Sequence, residues 1–279
     1  IERMTKKVEK TSVRWVVALM PEANPIINAL CLKKVDSALP FPIYKDEDEE
    51  NWLVVSGIGQ ISSAAASRFL FEKSNAHRAC VWINIGIAGS KKFNIGDLVF
   101  IDKVTSSVER KSYYPHVTPN LKLNNRSELI TVDTPETNFD KESVYDMEGF
   151  SFFNVVSKFT SIELIVILKV ISDGPGSDLA KIYKDKISSL IDNQFEKVSF
   201  LLANLFSLSK NLSDQTESPK DFEEICEMRR FTFSQRVALK KLVQQWHARN
   251  SSRGLVRVVS SINTSSEIIR FLEEELRRH

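Results

Sequence analysis

The sequence predicts an α/β domain, with a largely parallel sheet covered by helices on both faces, followed by an α-rich extension. Three observations carry this expectation. Apolar runs without period-2 alternation, the mark of strands buried on both faces, recur near residues 13–20, 52–56, 80–87, 98–104 and 162–171, with helical stretches between several of them. Of the nine glycines, all but Gly254 fall at element ends or contacts in the first 176 residues, where backbone conformation or close approach needs them. Beyond Ser177 the strands stop and long helical periodicities begin. The expected division is a first domain over residues 1–212, then a linker and an α-rich extension over 213–279.

Taken in order, residues 1–10 are a charged tail and VRWVVALM (13–20) a buried strand. Pro21 opens a helix, where its missing N–H costs nothing, and this puts Glu22 at the C-terminal edge of that strand. KDEDEEN (45–51) reads as a surface turn before a strand over 52–56. That strand runs into Ser56-Gly57-Ile58-Gly59-Gln60 and an alanine-rich helix over 62–71, whose small side chains allow close packing on a sheet. CVWINIGI (80–87) is a strand ending in a glycine turn, and Asn94-Ile95-Gly96-Asp97 turns the chain into the strand at 98–104. A polar loop with Tyr113, Tyr114 and His116 follows, then a short strand at 129–132 leading to Asp133-Thr134-Pro135-Glu136.

Residues 143–177 organise the rest. They join an amphipathic helix carrying Asp146-Met147-Glu148, the apolar strand at 162–171, and Asp173 at the strand's C-terminal edge, where open α/β sheets hold ligands. Gly174-Pro175-Gly176 ends the strand, and Ser177 or Asp178 is placed to cap the next helix. Residues 179–212 read as one long helix or two. After the polar linker at 213–220, helices are expected at 222–228, 234–246 and 265–277, with a short strand at 255–259.

Composition narrows the function classes. The chain has 279 residues, with 38 basic against 36 acidic ones, so no global field points to nucleic acid. Cys31, Cys80 and Cys226 are odd in number and far apart, which argues against a disulfide framework or zinc cluster and suits a reducing cytoplasm. No apolar run reaches the roughly 18 residues of a membrane span, and no signal-peptide core stands at the N-terminus. No metal is expected from the spacing of His, Cys and carboxylates.

Several separated stretches, in order and spacing, resemble the purine nucleoside phosphorylase and uridine phosphorylase superfamily, most closely its methylthioadenosine/S-adenosylhomocysteine nucleosidase branch. The first strand with Glu22 is similar to the branch's opening strand and its glutamate. VVSGIGQISSAAA (54–66), INIGIAGSKKFNIGDLVFID (83–102), YDMEGFSFF (145–153) and VISDGPG (170–176) resemble its glycine loops, its V-E-M-E helix and its I-S-D turn. The likeness covers roughly residues 12–210 and implies a nucleoside phosphorylase-like three-layer fold with a central mixed sheet flanked by helices.

It also implies roles. Cleaving a purine N-glycosidic bond builds positive charge on the ribose and electron density on the leaving base. Asp173 matches the general acid toward the base and Glu22 the carboxylate that activates water. Glu148 matches the ligand of both sugar hydroxyls, with Met147 packed on the sugar and Ala88 and Gly89 lining the site. Ser56 and Pro135 match further substrate contacts, and Tyr114 and His116 stand where relatives gather groups for the 5′ end. Residues 23–30 hold no basic side chain, and Ile87 stands where a phosphate-binding serine is common, which favours water over phosphate as nucleophile.

Two departures stand out. The loop at 133–143 is short, and Lys169 replaces an arginine; the two cations differ in how they pair. The expectation is a cofactor-independent purine (adenine-type) nucleosidase, homodimeric as its relatives are, with a small-molecule nucleoside as partner. A phosphorolytic phosphorylase and a non-catalytic nucleoside-binding or scaffold protein are the alternatives. Arg229, Arg230, Arg236, Lys240, Lys241 and Arg249 make a basic amphipathic stretch, suited to a protein or anionic partner or to a solvated face over an apolar stripe.

Overall fold

The computed structural model describes residues 12–35, 38–115, 125–177, 184–216, 220–249 and 254–277. Backbone proximity divides the chain into two compact units, Ile1–Leu212 and Ser213–His279.

In the first unit the elements run β1 (Val13–Val17), α1 (Met20–Ala29), β2 (Lys33–Lys34), β3 (Ile43–Lys45), β4 (Asn51–Val55), α2 (Gln60–Lys73), β5 (Val81–Ser90), β6 (Leu98–Ser106), β7 (Ser112–Tyr113), β8 (Arg126–Thr131), β9 (Val144–Asp146), α3 (Gly149–Val156), β10 (Ile165–Asp173), α4 (Lys184–Asp192) and α5 (Phe195–Thr216). A 3₁₀ turn, Ile162–Leu164, leads into β10. The sheet is mixed rather than largely parallel. β1 pairs in parallel with β4 and β5, β5 with β10, β6 with β8, and β8 with β9, while β10–β6, β5–β9 and the β2–β3–β4 edge are antiparallel. β5, β10, β6, β8 and β9 pair in a closed circuit, which leaves no open edge on that side.

Every residue of β1 and β10 is buried, as strands covered on both faces must be. One apolar cluster, with Trp15, Ile83, Phe100 and Leu168, packs under α1, α4 and α5. The other, with Trp82, Ile101, Phe150 and Ile167, packs under α2 and α3. The helices thereby hold the C-terminal ends of β1, β5 and β10 side by side.

Two further sequence expectations change. Asp146-Met147-Glu148 is not on a helix: Asp146 ends β9 and Glu148 precedes α3, with φ −131°. The cause is local, because the Asp146 carboxylate accepts the Gly149 N–H at 2.8 Å and competes with helical bonding through that turn. The Ser177 hydroxyl accepts the Gly174 N–H at 2.9 Å and closes a turn; Asp178 and the start of the helix that either residue was expected to cap lie outside the described residues. Residues 255–259 form a helix rather than a strand.

That helix belongs to the second unit, which comprises α6 (Lys220–Met228), α7 (Phe233–Arg249), α8 (Leu255–Val259) and α9 (Ser265–Arg277). Leu255 and Val259, four apart, enter a core with Ile225, Leu239, Trp246, Ile268 and Leu272, so burial overrides the β propensity of the valines. The apolar stripe of α7 is thus used inside its own unit, and Arg236 lies over the Phe222 ring at 5.7 Å. No helix among the described residues is long and apolar enough to cross a membrane.

Candidate active site

A cavity of about 310 Å³ opens at the C-terminal ends of β1, β5 and β10. Carboxylates reach it from several elements: Glu22 from α1, Asp146 and Glu148 from β9 and the turn after it, Asp173 from β10, and Glu136 from the loop before β9. Met147, Ala88, Gly89 and Pro135 complete the expected lining with Ile87, and Leu19, Ile58, Phe139 and Ser172 add walls that the sequence did not indicate.

Glu22 is held by backbone alone. Its Oε2 accepts the N–H groups of Ala18 and Leu19 at 2.9 and 2.8 Å, and its Oε1 accepts that of Ile87 at 2.8 Å. This joins the end of β1 to the middle of β5, and Oε1 keeps a lone pair. Burial raises the carboxyl above its usual range, and the three N–H groups and Lys169 oppose that rise. Gly86 makes the arrangement possible, since a Cβ there would stand 2.7 Å from Glu22 Oε1.

Glu148 Oε1 accepts the Gly59 N–H at 2.7 Å, across 89 residues of chain. Gly59 caps α2 with φ +100°, a conformation costly for any other residue, and it aims the helix's positive end at the carboxylate. Burial, then the negative charge of Asp146, raises Glu148 to about 7, against Lys169 and the Gly59 N–H.

Asp173 is 8% exposed, and its Oδ1 accepts the Ser172 hydroxyl at 2.5 Å. That fixes the carboxyl plane and leaves Oδ2 toward the gap above Gly89, where a Cβ would lie 2.8 Å from Oδ2 and 2.6 Å from Phe139 Cε1. Phe139 adopts φ +50° and packs edge-on against Tyr145 at 5.7 Å, so an aromatic edge in a strained loop flanks the acid. Gly89→Ala is expected to crowd Phe139 and Asp173 and lower the melting temperature by roughly 2–10 °C, because overpacking costs about 1–3 kcal/mol. A thermal melt checks it; an unchanged melting temperature would show that these neighbours give way freely.

Two other expected contacts, Ser56 and Tyr114, do not line this cavity. Ser56 is buried, its hydroxyl donating to the carbonyls of Val17 and Gly57 at 3.2 and 2.8 Å, a structural tie between β4 and β1. Tyr114 is 68% exposed and absent from the lining, and His116 lies outside the described residues.

Neither a protein-family model nor a curated protein sequence matches the chain. Solved structures do. The 5′-methylthioadenosine nucleosidase of Arabidopsis thaliana superposes with a TM-score of 0.58 at 21% identity, covering 70% of this chain and 96% of its own. The 5′-methylthioadenosine/S-adenosylhomocysteine nucleosidase of Helicobacter pylori, solved with butyl-thio-DADMe-Immucillin-A, gives 0.57 at 14% identity over 70% and 99%. Futalosine hydrolase of Helicobacter pylori gives 0.54 at 15% identity over 70% and 98%. These neighbours match nearly whole while part of this chain lies outside the match. The matched part of this chain therefore has the fold shared by these nucleosidases and this hydrolase.

Proposed function

We propose that the chain hydrolyses the N-glycosidic bond of a purine nucleoside of the adenine type, with water as nucleophile, releasing free base and a ribose derivative. The observation that carries this is the convergence of Asp173, Glu148 and Glu22 on one cavity from three separate elements. Each has the environment its role needs. Asp173, fixed through Oδ1 by Ser172, presents Oδ2 to donate a proton to the leaving base, with Phe139 beside it to flank the ring. Glu148, anchored through Oε1, keeps Oε2 for the sugar hydroxyls and places negative charge near the ribose as it turns cationic. Glu22 accepts the proton of the attacking water at Oε1, and burial, by raising its affinity for protons, makes it the stronger base.

Water rather than phosphate is favoured by charge. Among the described residues, the side chains lining the cavity include Glu22, Glu136, Asp146, Glu148 and Asp173 and no lysine, arginine or histidine. A phosphate dianion entering there would meet like charge with no donor fork to hold it. The nucleosidases named above act on methylthioadenosine or S-adenosylhomocysteine by their names, which makes methylthioadenosine the first substrate to try.

The pH profile follows. Glu148 works ionised, so as pH falls through about 7 it takes up a proton and kcat/KM should fall, approaching tenfold per unit well below that value. Adenine release from methylthioadenosine between pH 5 and 9 measures this. A flat profile down to pH 5 would remove Glu148 from the role.

A further inference from the structure

Among the largest fully enclosed side chains of the described residues Lys169 alone carries a charge, and it does not line the cavity. It lies mid-strand in β10, 1% exposed, four residues before Asp173, in register with Gly86 of β5. Its ammonium meets Asp146 Oδ2 at 2.8 Å, and both side chains are almost wholly enclosed, at 2% and 1% exposure. Burying two charges costs several kcal/mol before their attraction returns any of it. A pair retained there needs a reason beyond stability.

The bonds around Asp146 supply one. Its Oδ2 also accepts the Gly149 N–H at 2.8 Å, and its Oδ1 accepts the Thr131 hydroxyl at 2.7 Å. Thr131 Oγ1 in turn accepts the Phe150 N–H at 3.0 Å. The aspartate thus clamps the end of β8 and the first turn of α3, and Met147 and Glu148 are the two residues caught between Asp146 and Gly149. Lys169 ties that clamp to β10, the strand that carries Asp173.

We propose that Lys169 and Asp146 form a buried positioning pair for Glu148: the pair fixes the turn that presents Glu148 to the cavity and sets one charge of each sign close to it. The proposal rests on the nucleosidase reading only for what Glu148 does, not for the pair itself. The groups facing Glu148 are Asp146 from β9, Lys169 from β10, Glu22 from α1 and the Gly59 N–H from the start of α2, while Asp173 and Glu136 line the same cavity. Of these, Lys169 supplies the only positive side-chain charge. Lys169 itself stays cationic: burial pulls its proton affinity down, and Asp146, Glu148 and Glu22 together outweigh that pull.

The pair predicts opposite shifts from its two members, which a merely structural contact would not give. Carbon-13 NMR of the glutamate carboxyls in the full chain, with the Glu148 signal assigned from Glu148→Gln, follows its titration without any substrate. Wild-type Glu148 should titrate at about 7. Lys169→Met should move that midpoint up by about one unit or more, Asp146→Asn should move it down, and Lys169→Arg should leave it nearly in place. If Lys169→Met does not fold, Asp146→Asn, which keeps the shape of the clamp, and Lys169→Arg still decide the matter. A Glu148 midpoint unmoved in a folded Lys169→Met or Asp146→Asn protein, or moved the same way by both, overturns the pairing. Adenine release is measured in parallel. If wild type releases none, the nucleosidase reading fails while the titration still decides the pair.

Discussion

Asp173→Asn should lower the rate of base release about 10²- to 10⁴-fold, the contribution typical of a positioned general acid. The fold should be nearly untouched, with a melting temperature within about 2 °C of wild type, because asparagine can keep an acceptor oxygen for the Ser172 hydroxyl and fills the same space. The loss should fall mainly on kcat, since proton donation is made only as the bond breaks. Single-turnover release of base from methylthioadenosine, beside a thermal melt, separates the two effects. A variant that keeps wild-type turnover would mean that the acid lies elsewhere.

The second large effect concerns Glu22 and reads on stability as well as rate. Glu22→Ala leaves the buried N–H of Ala18 and the partly buried N–H groups of Leu19 and Ile87 without their acceptor and opens a hole beside Gly86. Unsatisfied buried donors cost about 1–3 kcal/mol each. Relief from burying a carboxylate, whose proton affinity burial has raised, offsets part of this, so a net loss of about 2–5 kcal/mol is expected. That corresponds to a fall of roughly 5–15 °C in melting temperature for the unit. Base release should be lost as well, even at temperatures where the variant stays folded. A variant with unchanged melting would contradict the clasp; one that melts early yet hydrolyses normally would leave Glu22 a structural residue only.

The sequence exposed Asp173 and Glu22 through local chemistry. A strongly apolar strand stopped by Gly-Pro-Gly sets Asp173 at the sheet's edge, and a proline opening a helix sets Glu22 at another. Glu148 was located along the chain but on the wrong element, because apolar residues at helical spacing extend back through Met147 and Val144. The Asp146 side chain stops the helix there, and a periodicity argument does not see a side chain that competes for backbone N–H groups. Phe139 gave no signal of its own: an aromatic in a polar loop reads as incidental until Gly89 and Tyr145 are found against it. Lys169 was noticed only as a substitution, since a lysine in an apolar strand makes sense only once its partner is known, and Asp146 comes from a strand that pairs elsewhere. Residues 255–259 misled for a related reason, as valine favours strands unless a core pulls it into a helix.

Base release by hydrolysis, in a cavity of carboxylates with no cation among its described lining residues, should not depend on phosphate. The full chain is freed of phosphate, incubated with methylthioadenosine, and assayed for adenine with and without added inorganic phosphate, the sugar product being identified in each case. Equal rates and a free reducing sugar are expected in both. Release that requires phosphate and yields a sugar 1-phosphate would rule hydrolysis out.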